Sequence, residues 1–184
     1  MKSLLKFIIK CMSISSLFIS LFTTSYAISL YELQNSNQYK LAYSTASKEF
    51  YINLNSIQSL RYNPPYYTLK YDVYLVTYND ATISSSSFIS NYDYNYSFDS
   101  INQKQNLNNL SFEEAKPYIL DAKRTNSGVT GSYKLLKLYD FDGNLQYDFN
   151  TLNDNDYIKM EFQFAKPSYR LAFYAFEKAY NTVF

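Results

Sequence analysis

The chain has 184 residues, of which 17 are basic and 16 acidic, and its formal net charge is +1. It contains 22 Tyr and 14 Phe but no His, no Trp and a single Cys. Without His it can form no His-based catalytic triad, imidazole metal ligand or imidazole pH switch, and one Cys excludes an intrachain disulfide and a thiolate zinc site. The near-neutral charge argues against a nucleic-acid partner, and the length suits one compact domain.

Residues 1–27 have the pattern of a secretory signal peptide. Three lysines near the start precede an apolar and small-residue stretch, and Ser25 and Ala27 stand three and one positions before the expected cleavage site. The apolar run is shorter than the about 20 residues of a membrane-spanning helix, although an uncleaved anchor is the alternative. We therefore expect export to the periplasm, cell surface or extracellular medium. Residues 28–184 would then form a single domain without a transmembrane helix.

Alternating apolar and polar residues predict strands after the signal segment. A short strand is predicted at 39–43, and residues 50–57 alternate with the period of two that favours a strand. Residues 61–65 should interrupt the sheet, because their two prolines cannot donate backbone hydrogen bonds. The strongest alternation runs from 66 to 78. Its apolar face, which we assign to the core, carries Tyr67, Leu69, Tyr71, Val73 and Leu75.

Residues 79–87 are expected to form a loop or hairpin region, and residues 88–98 alternate again. This second segment predicts a strand that pairs antiparallel with 66–78 and carries Tyr92, Tyr94 and Tyr96 on one face. Exposed tyrosines bind sugars or peptides well, since they combine contact area, low entropy cost and a hydroxyl group. The alternative is that they only pack within the sheet, where Tyr has a high propensity. We take these three tyrosines as candidate binding residues.

A short helix and a loop are predicted in the middle of the chain. Ser111 and Glu114 match a capping box that opens a helix, and Pro117 should limit this helix to one or two turns. Residues 125–132 contain two of the three glycines and are expected to form a flexible loop.

The last third of the chain combines strands with one longer helix. Strands are predicted at 133–141, 145–149 and 157–164. Pro167 suits the first position of a C-terminal helix whose apolar stripe is Tyr169, Phe173, Phe176, Tyr180 and Val183. The predicted fold class is therefore α+β: an antiparallel β-sheet of about five to seven strands, with the C-terminal helix packed on one face.

No motif indicates catalysis, a metal or a cofactor. Residues 140–144 could offer oxygen ligands to calcium, but they lack the EF-hand spacing, and Asp, Asn and Gly are common turn formers. The neighbouring Glu113 and Glu114 would point about 100° apart on a helix, so they cannot form a facing carboxylate pair. Three glycines are too few for a glycine-rich phosphate loop. We expect no catalytic residue, no bound metal and no cofactor.

Two segments resemble surface-adhesin protein E-like domains, which are small exported bacterial proteins. They are residues 49–60 (EFYINLNSIQSL) and 138–149 (LYDFDGNLQYDF). The resemblance implies an antiparallel sheet with flanking helices and a role at the cell surface, where the family attaches to host or matrix proteins. It assigns no binding residue to this chain.

The sequence thus predicts an exported, non-catalytic cell-envelope or surface protein with adhesin-like binding through tyrosine-rich strand faces and loops. Its partner would be a host or matrix protein or an envelope component, and no nucleic acid. A small outer-membrane β-barrel is one alternative, because eight strands of about ten residues would fit this length. A His-free carboxylate hydrolase is a second alternative.

Overall fold

The computed structural model describes residues 28–152 and 155–184, and the expected signal peptide lies outside these ranges. The strands are β1 (Tyr39–Ser44), β2 (Lys48–Asn53), β3 (Gln58–Asn63), β4 (Tyr66–Thr77), β5 (Thr82–Asp93), β6 (Val129–Asp140), β7 (Leu145–Asp148) and β8 (Ile158–Glu161). The α-helices are α1 (Leu30–Asn35), α2 (Phe98–Lys104), α3 (Phe112–Thr125) and α4 (Pro167–Tyr180). Within the described residues, no helix is long and apolar enough to span a membrane.

All eight strands belong to one antiparallel sheet. Six of them follow the order β1-β2-β4-β5-β6-β7, while β3 pairs with the first half of β4 and β8 pairs with the first half of β6. The three central strands β4, β5 and β6 are 12 residues long. The C-terminal helix α4 packs on one face of this sheet. The predicted α+β fold class is therefore confirmed.

The main core lies between the sheet and α4. The predicted inner face of β4 is confirmed for Leu69, Tyr71 and Val73, which are buried in this core. Ala172 and Ala175 of α4 are also fully buried, because their small side chains allow the helix to approach the strands closely. Burial of these apolar surfaces removes them from water and is the main favourable contribution to folding.

A smaller core on the opposite face contains α1, which the strand patterns did not predict. Leu33 of α1 packs with Tyr51, Val76 and Ile83 of the sheet. The helix begins after Ser29, whose side-chain oxygen accepts a hydrogen bond from the Glu32 backbone N–H at 3.2 Å. Ser and Glu three residues apart are a helix-start signal that could have revealed this element.

Two predicted interruptions of the sheet exist but are shorter than expected. Arg61 pairs with Thr68 across β3 and β4, so only Pro64 and Pro65 lie in the turn, where no ladder hydrogen bond is needed. The serines at 84–87 are not a loop but part of the first half of β5. There the neighbouring strands β4 and β6 pair with the β5 backbone from both sides, so polar side chains do not end the strand.

The predicted loop at 125–132 is also shorter than expected, because β6 begins at Val129. Gly131 lies inside this strand opposite Ser90, and a Cβ atom at Gly131 would be only 2.1 Å from the Ile89 carbonyl oxygen. This glycine therefore permits close approach of two strands rather than loop flexibility.

Helix α3 has 14 residues and is much longer than the predicted one or two turns. Pro117 removes one backbone N–H within the helix, but Ala115, Ile119 and Lys123 form a buried stripe that continues beyond it. Packing of this stripe against α2 compensates for the lost hydrogen bond. The capping box at the start is confirmed, since the Ser111 backbone N–H donates to Glu114 Oε2 at 2.9 Å.

Candidate binding site around Tyr96

Tyr92 and Tyr94 belong to a cluster of rings beneath helix α4. Tyr92 is 2% exposed, and its hydroxyl donates a hydrogen bond to the Ala172 carbonyl oxygen at 2.9 Å. The half-buried Tyr94 stacks on Phe176 with 5.9 Å between ring centroids. Phe176 lies at the centre of this group, which we call the α4 aromatic cluster: Phe176, Tyr67, Tyr92, Tyr94, Tyr180 and Phe184.

The expectation that Tyr92, Tyr94 and Tyr96 share one strand face is wrong. Strand β5 ends at Asp93, and Tyr94–Tyr96 form a 3-10 turn. The Asp93 Oδ1 atom accepts hydrogen bonds from the Asn95 backbone N–H at 3.1 Å and from Asn95 Nδ2 at 2.9 Å. An aspartate that bonds two residues ahead in this way competes with continuation of the strand. Tyr96 therefore leaves the face that carries Tyr92.

Tyr96 lies between two clefts, and the first is at one end of the central strands. This cleft has a volume of about 360 Å³ and is lined by Arg61, Tyr66, Asn91, Asp93, Tyr96 and Asn126, among others. The β4–β5 register sets Tyr66 opposite Asp93 and Thr68 opposite Asn91. The Thr68 hydroxyl donates to Asn91 Oδ1 at 2.9 Å, which fixes the orientation of that amide.

The second cleft lies beyond Tyr96, between the 3-10 turn, α2 and the end of α3. Its volume is about 740 Å³, and its polar lining includes Asn95, Lys104, Asp121 and Thr125. The Lys104 Nζ atom donates to the Asn95 carbonyl oxygen at 3.0 Å and lies 5.8 Å from the centroid of the Tyr96 ring. Tyr96 and Asn126 line both clefts, so they form the boundary where the two meet.

The loop that carries Asn126 is packed tightly against Tyr96. Gly128 has a φ of +76°, and a Cβ atom at this position would be 2.5 Å from Tyr96 Cβ. A residue with a side chain would therefore be strained here and would displace Tyr96. The Gly128 backbone N–H also donates to Asn126 Oδ1 at 2.9 Å, which fixes the second amide of the site.

A buried lysine forms a hydrogen bond to the loop that carries Asn126. Lys123 is fully buried, and its Nζ atom donates to the carbonyl oxygens of Ser127 at 3.2 Å and Phe184 at 3.3 Å. Burial lowers the pKa of Lys123 to about 7. Three rings partly offset this effect, because they favour the ammonium form: Nζ lies 4.2 Å from the centroid of Phe184, 5.0 Å from Phe98 and 5.4 Å from Tyr169.

Sequence reasoning flagged Tyr96 but missed Lys123, Tyr66 and Asn126. Lys123 could have been found, because it follows Ala115 and Ile119 at four-residue intervals on the apolar face of α3. Tyr66 and Asn126 come from distant parts of the chain, and only the pairing of β4 with β5 and of β5 with β6 brings them together.

The site offers hydrogen-bond donors and aromatic surface. Among the hydrogen bonds of the described residues, none involves the side-chain nitrogens of Asn91 and Asn126 or the hydroxyls of Tyr66 and Tyr96. Tyr66 is 45% exposed, and the Arg61 guanidinium lies 5.6 Å from the centroid of its ring. Such an arrangement can orient a polar ligand.

The aspartate-rich turn at 140–144 is a separate feature at the other end of the central strands. Asp140 Oδ1 accepts a hydrogen bond from the Asn144 backbone N–H at 2.8 Å, and Asp140 Oδ2 accepts from Asn144 Nδ2 at 2.9 Å. These hydrogen bonds from Asn144 lower the pKa of Asp140. In the two described ranges, no group of three or more acidic or Cys side chains is placed to hold a metal ion. The carboxylate oxygens thus take part in the turn itself.

No protein-family model, curated protein or solved structure matches this chain. The two segments that resemble surface-adhesin protein E-like domains fold as β2 with the start of β3, and as the β6–β7 hairpin. Membership of that family stays a prediction.

Proposed function

We propose that this protein is an exported, non-catalytic binding protein of the cell envelope or surface, which takes its ligand in the two clefts that meet at Tyr96. The observation that carries the proposal is that Tyr96 and Asn126 line both clefts, beside a second partly exposed tyrosine, Tyr66. Binding sites are typically concave, with a few polar groups that orient the ligand among larger contact surfaces.

The surroundings of the clefts favour a preformed site. The walls come from the ends of the three long central strands, whose pairing fixes Tyr66, Asn91 and Asp93 relative to one another. The Asn126 loop is tied to the buried Lys123 through the Ser127 carbonyl oxygen. Groups held in place before binding lose less conformational freedom when the ligand arrives, which favours affinity.

The cellular setting of this proposal comes from the sequence. Residues 1–27 have the order of lysines, apolar residues and small residues that is typical of a secretory signal. The resemblance of residues 49–60 and 138–149 to an adhesin-like family adds host proteins, matrix proteins or envelope components as partners. Adhesin-like binding by the Tyr96 clefts is consistent with both features.

Binding of the purified, exported protein to a panel of immobilised matrix proteins and envelope polysaccharides tests this function. We expect at least one panel member to bind, and Tyr96→Ala to weaken that binding by at least about tenfold, the range expected for an aromatic anchor. Tyr31→Ala is the matched control, because Tyr31 is 76% exposed and lies on α1, outside the clefts. Binding that is absent, or equally strong in wild type and Tyr96→Ala, would contradict the proposal.

A further inference from the structure

We infer that the ligand of the two clefts is an uncharged oligosaccharide that passes over Tyr96 and places sugar units in both clefts. This inference rests on the proposed binding function, for which it names the ligand class. Charge, aromatic surface, amide orientation and the junction at Tyr96 all support it.

The charges of the two clefts favour an uncharged ligand. The first cleft contains one basic and one acidic residue, Arg61 and Asp93, and the second contains Lys104 and Asp121. Each lining is therefore formally neutral. A polyanion such as nucleic acid requires an excess of positive charge, and a strongly charged peptide requires an excess of the opposite sign.

The aromatic surface suits the apolar face of a sugar ring. Tyr66 and Tyr96 each have a cation close to the ring, Arg61 and Lys104 respectively. Within the part of the chain that the structure describes, neither ring pairs with a second aromatic ring, in contrast to the α4 aromatic cluster. The C–H groups on one face of a pyranose pack against such a ring, and Tyr adds a hydroxyl at its edge.

The amides of the site suit sugar hydroxyls. Asn91 Oδ1 accepts from Thr68 and Asn126 Oδ1 accepts from the Gly128 backbone N–H, so both amides turn their NH₂ groups away from these bonds. Each NH₂ group can donate two hydrogen bonds, and a sugar hydroxyl accepts and donates. An apolar peptide side chain would leave these donors without partners and would be disfavoured.

The shared boundary favours a chain rather than a single sugar. The clefts measure about 360 Å³ and about 740 Å³, and both reach the same two residues, Tyr96 and Asn126. A ligand that fills only one cleft would contact one side of this boundary. An oligosaccharide that continues across Tyr96 would use both sides, and its affinity should exceed that of its monosaccharide.

Isothermal titration of the exported protein with uncharged probes tests the inference. The probes are hexamers of glucose, mannose and N-acetylglucosamine, their monosaccharides, and a pool of uncharged hexapeptides. We expect one hexasaccharide to bind at least about tenfold more tightly than its monosaccharide, with little dependence on salt. Tyr96→Ala should weaken binding by at least about tenfold and Tyr66→Ala by at least about fivefold, as loss of a stacked ring does, while Tyr31→Ala should not.

The outcomes separate this inference from the proposed function. If the hexapeptides bind with dependence on Tyr96 and no hexasaccharide binds, the ligand class is wrong and the binding function stands. If the only Tyr96-dependent ligand in the matrix and envelope panel is a polyanion whose binding weakens with salt, the ligand class is again wrong. If no probe and no panel member binds with dependence on Tyr96, both proposals fail. Thermal unfolding of each variant identifies any that does not fold, and Tyr66→Ala then replaces Tyr96→Ala.

Discussion

Tyr92 and Tyr96 are four residues apart in the sequence and both line the first cleft, but Tyr92 is buried whereas Tyr96 is half-buried. Tyr92 is enclosed by Phe176 and Phe184, with ring centroids at 5.0 and 5.4 Å, and its hydroxyl is hydrogen-bonded. Tyr96 is half-buried between two clefts, and no hydrogen bond of the described residues involves its hydroxyl. The end of β5 at Asp93 separates them. The point at which the strand ends therefore decides whether a tyrosine packs in the core or lines the clefts.

The largest effect on stability is expected at the central ring of the α4 aromatic cluster. Phe176 is 1% exposed and lies within 6 Å of five other rings of the α4 aromatic cluster. Phe176→Ala should lower the free energy of unfolding by about 3–5 kcal/mol, because it removes buried surface and leaves a cavity. Urea denaturation measures this change. A loss below about 1 kcal/mol, the size of a typical surface effect, would show that α4 is not held by these rings.

Lys123 contacts both α4 and the loop that lines the clefts. Its Nζ atom lies near the Tyr169 ring of α4 and donates a hydrogen bond to the Ser127 carbonyl oxygen of the loop. Its pKa in the folded state is about 7, whereas an unfolded lysine titrates near about 10.4. Between these values the unfolded state binds more protons, so the free energy of unfolding should rise with pH from about 7 to 9, by at most about 1.4 kcal/mol per pH unit.

Urea denaturation at several pH values measures this slope in wild type and in Lys123→Met. The variant should lose the slope, since Met cannot be protonated, whereas Lys116→Met should keep it, because Lys116 is exposed. Buried tyrosines with raised pKa values reverse the trend only above about pH 10, outside this window. A slope that persists in Lys123→Met would assign it to another group.

A smaller difference in the free energy of unfolding is expected between two buried tyrosine hydroxyls, one with a hydrogen-bond partner and one without. Tyr92→Phe removes the hydrogen bond to the Ala172 carbonyl oxygen and should lower the free energy of unfolding by about 1 kcal/mol. The buried Tyr169 hydroxyl has no hydrogen-bond partner in the described residues, so Tyr169→Phe should be neutral or slightly stabilising. Thermal and urea unfolding of both variants measure the difference, and equal losses would contradict it.

Local sequence patterns predicted the helices and strands whose apolar residues are regularly spaced within one segment of the chain. Helix α4 followed from Pro167 and a stripe at helical spacing, and β4 followed from strict alternation. The serines of β5 were misassigned, because pairing with strands on both sides, not local propensity, makes them a strand. The clefts were not predictable, since Tyr66, Tyr96 and Asn126 meet only through long-range register. Tyr96, a candidate from the sequence, lines both clefts, but it lies in a 3-10 turn and not on the predicted strand face.

The most direct test compares Tyr92→Ala with Tyr96→Ala in the same two assays, urea unfolding and binding to the ligand identified by titration. We predict that Tyr92→Ala lowers the free energy of unfolding by about 3 kcal/mol or more, as expected for a buried ring. Tyr96→Ala should change it by less than about 1 kcal/mol while weakening binding at least about tenfold. Equal losses of stability in the two variants, or unchanged binding by Tyr96→Ala, would contradict the division between the aromatic cluster and the clefts.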